Sequence, residues 1–130
     1  MGTRFVATYE CDASMEYKEA YLKCKKEDIV IIDSPVGLPG RAIQNKFLKA
    51  VSSGVKMPFK CLWKYLRTCD FKNVRYCIGL ALTNAKKGDI ENGFAFAGAN
   101  AYRADKIVSV KELIGTLLEE YEKESIYIRA

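Results

Sequence analysis

Histidine is missing from all 130 residues. That removes the usual general base near neutral pH, and with it the Ser–His and Cys–His nucleophile pairs. It also removes the commonest partner of cysteine in zinc sites. No apolar run approaches the length of a membrane span, and the N-terminus has neither a basic n-region nor a following h-region. The chain is therefore read as soluble and cytoplasmic, with no membrane partner. There is no Walker loop, no G-x-G-x-x-G, no repeat, no low-complexity tract and no linker dividing the chain. Nor does one sign of charge dominate: 21 Lys+Arg stand against 16 Asp+Glu, a net charge of +5. The basic residues are scattered, as on a solvated surface, which speaks against nucleic acid as a partner.

The five cysteines are an odd count in a chain without secretion signals, so a disulfide framework is not expected. Cys61, Cys69 and Cys77 are evenly spaced. Their intervals are too long for paired knuckle ligands, and they read as buried structural thiols.

What is present is organised around one stretch, residues 28–48. Ile29 to Ile32 form a β-branched run between charged ends, predicted to be a strand covered on both faces. Ser34-Pro-Val-Gly-Leu-Pro-Gly40 then holds two of the three prolines and two of the nine glycines, which predicts a shaped loop. Ile43, Phe47, Ala50 and Val51 follow at helical spacing, so the stretch reads as strand, loop and helix. With 130 residues there is room for one ordinary domain, and residues 1–130 are read as a single unit.

Before this stretch, Thr3, Phe5, Val6 and Thr8 predict a strand. Asp12 or Ser14 is placed to cap a helix with Tyr17, Ala20, Tyr21 and Cys24 on one face. After it, Leu62, Trp63, Tyr65 and Leu66 suggest short helical turns in a segment broken by Pro58. Ile78, Ala81, Leu82 and Ala85 make a small-residue helical face that stops at Gly88. The uncharged run 93–102 is either a tightly packed strand turn or a wall where a ligand approaches backbone. Ser109-Val-Lys-Glu112 is a capping box, with Val108 and Leu113 placed as a staple. The helix it opens is expected to bury Leu113, Ile114, Leu117, Leu118 and Tyr121.

Several of these segments together resemble the nitronate monooxygenases, also called 2-nitropropane dioxygenases. Met1-Gly-Thr-Arg-Phe-Val-Ala-Thr8 with Glu10-Cys-Asp-Ala13 resembles the last barrel strand of that family. The likeness continues through Ile32-Asp-Ser-Pro-Val-Gly-Leu-Pro-Gly-Arg-Ala-Ile43, Lys60-Cys-Leu62, Tyr76-Cys-Ile78, Ala81-Leu82, Lys87-Gly-Asp89 and Asn92-Gly93. It ends in Phe96-Ala-Gly-Ala-Asn-Ala-Tyr-Arg103 and residues 106–114. The Gly-Thr-Arg-Phe piece also occurs in the related flavin-dependent enoyl reductases.

The resemblance implies a C-terminal portion of an FMN-dependent (β/α)8 barrel that oxidises alkyl nitronates with dioxygen. It implies that Met1, Gly2 and Thr3 help hold the FMN phosphate, with Gly98 and Asn100 near the flavin. A whole barrel of this kind needs about 250 residues, and the family's catalytic histidine lies upstream of the matching region. The chain is thus expected to be inactive alone, as a truncated frame or one half of a split enzyme. Two alternatives are part of an FMN-dependent enoyl-acyl carrier protein reductase, and a non-enzymatic interaction module. An unpaired first strand and uncovered helix stripes predict self-association.

Overall fold

A computed structural model describes the chain except residues 1, 62, 63, 65 and 130. The parts of the sequence expectations that fall on Met1, Leu62, Trp63 and Tyr65 lie outside the described residues. Strand β1 (Ile29–Asp33) turns back into β2 (Pro39–Ile43) as an antiparallel hairpin, Ile29 opposite Ile43 and Asp33 opposite Pro39. The loop between them is shaped as its composition predicts. Gly37 has φ 78° and its N–H donates to Ser34 O at 3.0 Å, while Ser34 Oγ donates to Leu38 O at 2.7 Å.

The hairpin corrects two expectations. Residues 40–43 are strand, and the helix starts only at α3 (Lys46–Ser52). Pro39 is tolerated because it opens the strand. The second correction concerns cover: Ile32 is 8% exposed but Ile31 is 62% exposed. A two-stranded sheet with packing on one side leaves its other face to water.

The covering side is built on Phe94. Segment 95–97 pairs with β2: Ile43 N donates to Ala95 O at 3.0 Å and Ala97 N to Arg41 O at 2.9 Å. Phe94 is fully buried, stacked on Phe47 at 6.2 Å and edge-on to Tyr76 at 6.0 Å and Phe96 at 5.1 Å. Ile32, Ala42, Leu48, Val51 and Ala81 complete this core. Helix α4 (Ile78–Lys86) approaches it through the predicted small-residue face. A Cβ on Gly93 would stand 2.1 Å from Ala81 O, so only glycine lets the two backbones meet. Asn45 fastens the junction, accepting from Leu48 N at 2.9 Å while donating to Gly93 O at 2.7 Å.

The N-terminal segment is not a strand. Gly2–Val6 form a short helix, α1, and Thr8 makes one parallel bridge to Val108. Thr8 Oγ1 donates to Phe5 O at 2.7 Å and closes the turn locally. Bridging at a single residue does not hold residues 3–7 extended, so tertiary context overrides β propensity. Helix α2 (Met15–Lys23) is capped by Ser14, whose Oγ accepts from Tyr17 N at 3.2 Å. Its Tyr21 is buried and donates to Phe96 O at 2.6 Å, within a second cluster with Cys24, Ile43, Ala95 and Ala101.

Helix α5 (Val110–Arg129) begins where the capping box predicts, with Ser109 Oγ accepting from Glu112 N at 3.1 Å. The reciprocal half is replaced: Glu10 accepts from Val110 N at 3.0 Å and Glu112 pairs with Lys106 at 3.1 Å. Its expected apolar burial is corrected as well. Leu113 is buried, Leu117 is half-buried, and Ile114, Leu118 and Tyr121 are exposed.

Ser109→Ala should cost about 1 kcal/mol. Urea denaturation measures it; an unchanged midpoint would mean that Glu10 alone caps α5. Burial pushes the Tyr76 phenol up to about 12. The fold favours the neutral phenol, so its contribution is complete below the unfolded value near 10. It is lost as pH rises from about 10 through about 12. Tyr76→Phe should lessen the alkaline loss of stability over that window, as read by circular dichroism.

Candidate functional site

The loop after Phe96 carries Gly98, Ala99 and Asn100, all exposed, into the single helical turn Ala101–Arg103. Because segment 95–97 is held to β2, the loop emerges at a fixed place, facing α1. There Gly98 N donates to Thr3 Oγ1 at 2.9 Å. A Cβ on Gly98 would lie 3.1 Å from that oxygen, so the contact favours glycine. Thr3 and Gly98 thus meet across 95 residues of sequence.

Their junction forms one wall of an open cleft of about 590 Å³, lined also by Arg4, Asn100, Arg103, Leu117 and Glu120. Arg4 Nη1 donates to Glu120 Oε2 at 2.8 Å and its Nη2 to Oε1 at 3.4 Å, which ties α1 to α5. The Arg103 guanidinium lies 5.8 Å from the Tyr102 ring centroid. The Arg103 side chain holds the Tyr102 phenol below its ordinary value, with desolvation opposing.

The donor set suits a phosphate. Having accepted from Gly98 N, the Thr3 hydroxyl has its own proton to offer an anion. Arg4 and Arg103 supply positive charge, although Glu120 offsets part of Arg4's. The small side chains of Gly98 and Ala99 leave backbone accessible to a ligand.

Of the residues singled out from sequence, Thr3, Gly98 and Asn100 share this cleft. Gly2 does not: it faces a shallower depression with Phe5, Val6, Thr8 and Cys11, and nothing lies within 4 Å of its Cβ position. Met1 lies outside the described residues. Sequence reasoning missed Arg4, Arg103 and Glu120. The signal for the arginines was their placement beside Thr3 and Asn100, inside segments already noted.

The architecture is mixed α/β and is similar to part of larger solved structures. It matches FabK from Thermotoga maritima with a TM-score of 0.76 and 28% identity, covering 99% of this chain and 38% of that one. It also matches a single-substitution variant of the same protein, with a TM-score of 0.72 and 27% identity over 99% of this chain and 34% of that one. The chain therefore spans little more than a third of the length of the solved structures it matches. Residues 1–120 match the nitronate monooxygenase family. The chain belongs to that family, whose members are in general FMN-dependent TIM-barrel oxidoreductases. Comparison with curated proteins gave no match.

Thr3→Val removes the oxygen that receives Gly98 N and keeps the side chain's size. The lost bond, about 0.5–1.5 kcal/mol, should speed exchange of the Gly98 amide roughly two- to tenfold. Thr3→Ser should restore it. Equal exchange in all three proteins would show that the bond does not order the loop.

Proposed function

We propose that this chain is the C-terminal part of an FMN-dependent, nitronate monooxygenase-like barrel, and that its cleft receives the FMN phosphate. The single observation that carries the assignment is the Thr3–Gly98 junction, within a chain of this family. It agrees with the rule that such barrels bind phosphate through loops after strands seven and eight. Thr3 donates its hydroxyl proton to the phosphate, and Arg103 adds charge. Gly98 keeps the wall low enough for close approach. The flavin, when bound, supplies the redox chemistry that oxidises an alkyl nitronate with dioxygen.

The likeness to FabK favours one second reading, part of an FMN-dependent enoyl-acyl carrier protein reductase. Both readings use the same phosphate end and differ in the substrate, which is recognised by residues outside this chain.

The chain alone is also proposed to self-associate. The basis shifts from the expected strand edge, which is helical here, to α5, where Ile114, Leu118, Tyr121 and Ile126 are exposed. Such apolar exposure favours association.

Purified alone, the chain should be colourless and show no nitronate-dependent oxygen uptake. Supplied with the preceding barrel strands, it should bind FMN. Thr3→Val should then weaken FMN binding roughly ten- to hundredfold, the loss expected for a hydrogen bond to a charged group. Unchanged FMN affinity would overturn the phosphate assignment, and a stoichiometrically yellow preparation of the chain alone would overturn its incompleteness. NADH-dependent reduction of an enoyl thioester, without nitronate-dependent oxygen uptake, would decide for the second reading.

A further inference from the structure

The three evenly spaced cysteines are not the buried structural thiols that the sequence suggests. Cys61, Cys69 and Cys77 are all half-buried, and all three line one apolar cavity of about 220 Å³. Leu66, Phe71 and Ile78 supply its remaining apolar wall. The cavity lies between the loop after α3 and the start of α4, where Cys77 occupies the N-cap position. Cys69 sits in a turn between the other two in sequence, its N–H donating to Leu66 O at 3.2 Å. Burial pushes the Cys69 thiol above its ordinary value, and the nearby Cys61 and then Cys77 sulfurs push it further. Cys69 thus shares the cavity wall with both of the others. Among the described residues, no three thiol, carboxylate or imidazole groups are arranged as a metal-binding set.

We propose that this cavity is a thiol–disulfide modification site, in which Cys69 forms an intramolecular disulfide with Cys61 or Cys77. The oxidant is a low-molecular-weight disulfide. The Cys61 or Cys77 thiol loses its proton and attacks one sulfur of that disulfide, breaking its S–S bond and releasing one small thiolate. Cys69, likewise deprotonated, then attacks that cysteine's sulfur in the mixed disulfide and releases the second small thiolate. The two protein thiols are oxidised by two electrons, the small disulfide is reduced to two thiols, and the released protons go to those thiolates. The third cavity thiol stays reduced. The product closes either residues 61–69 or residues 69–77 into a loop beside α4, without touching the Thr3–Gly98 cleft.

The two cysteines outside the cavity are internal controls. Cys11 is half-buried like the cavity thiols, and Cys24 is buried. The chain is equilibrated with mixtures of glutathione disulfide and glutathione, folded and in denaturant, then trapped by acid and mapped by mass spectrometry. The folded protein should lose about 2 Da, two hydrogens, through one bond involving Cys69. Cys11 and Cys24 should remain reduced. The bond should form at a glutathione disulfide fraction at least tenfold lower folded than unfolded, because the fold raises the effective concentration of the pair. Cys69→Ser should abolish it, and Cys24→Ser should leave it unchanged. Four results would overturn the proposal: equal formation in the folded and unfolded chain, stable glutathione adducts without an internal bond, a bond that excludes Cys69, or bonds only between chains.

Discussion

The pairing of segment 95–97 with β2 is the constraint on which the rest of the structure depends. A two-stranded hairpin alone is marginal in water. Here the hydrogen bonds from Ile43 N to Ala95 O and from Ala97 N to Arg41 O add a third extended segment. They also set the direction of alternate side chains: Phe94 and Ala42 go into one cluster, Ala95 and Ile43 into the other. Gly40 belongs to the same device, since a Cβ there would stand 2.5 Å from the Phe96 ring. Upstream, Gly93 and Asn45 fix the approach of α4 and the start of α3. Downstream, the same segment delivers Gly98 to Thr3. Core and cleft are consecutive stretches of one extended run.

Legibility in the sequence followed how local the deciding interaction was. The start of α5 could be read because Ser109 and Glu112 are three residues apart and their bond is internal to the helix end. The turn at 34–38 could be read for the same reason, since Gly37 bonds back to Ser34. Helix α2 and its buried Tyr21 followed from spacing alone. What failed depended on distant partners. Residues 40–43 look like the approach to a helix until segment 95–97 is known to lie beside them. Thr3, Phe5 and Val6 carry strand formers, yet among the described residues the extended neighbour of that segment is Val108, which bridges Thr8 and bonds back no further than Ala7 O. The cleft was half legible. Thr3, Gly98 and Asn100 could be named from the family resemblance, but their meeting across 95 residues could not be derived from composition. The thiol cavity was misread because even spacing in sequence says nothing about a shared wall.

The surface contributes little to holding this arrangement. Each of the five side-chain ion pairs among the described residues joins solvent-exposed partners. Such pairs are worth little individually and are screened by salt. The Lys86–Asp12 pair still records a real proximity: the Asp12 carboxyl is held below its ordinary value by its hydrogen bond to Lys86, which is raised in turn. Both are exposed, and the pair's use is to mark where the end of α4 meets the segment before α2. Stability must come chiefly from the aromatic core around Phe94 and the backbone junctions at Gly93 and β2.

The same distinction separates binding from chemistry in this chain. The phenols raised most, Tyr21 and Tyr76, belong to the two core clusters and are shifted first by burial. They stay neutral because the core disfavours their charge, and neither lines the cleft. The cleft is lined by a hydroxyl, two guanidiniums, an amide side chain and small residues, with Glu120 as its carboxylate. Arginine does not accept a proton at any accessible pH, and Glu120 is engaged by Arg4. With no histidine anywhere in the sequence, the described lining of the cleft has donors to orient an anion but no side chain suited to shuttle a proton near neutrality. Its chemistry is that of holding. A phosphate is the part of a flavin cofactor that asks for holding and takes no part in electron transfer, so a chain of this composition suits that end of the cofactor.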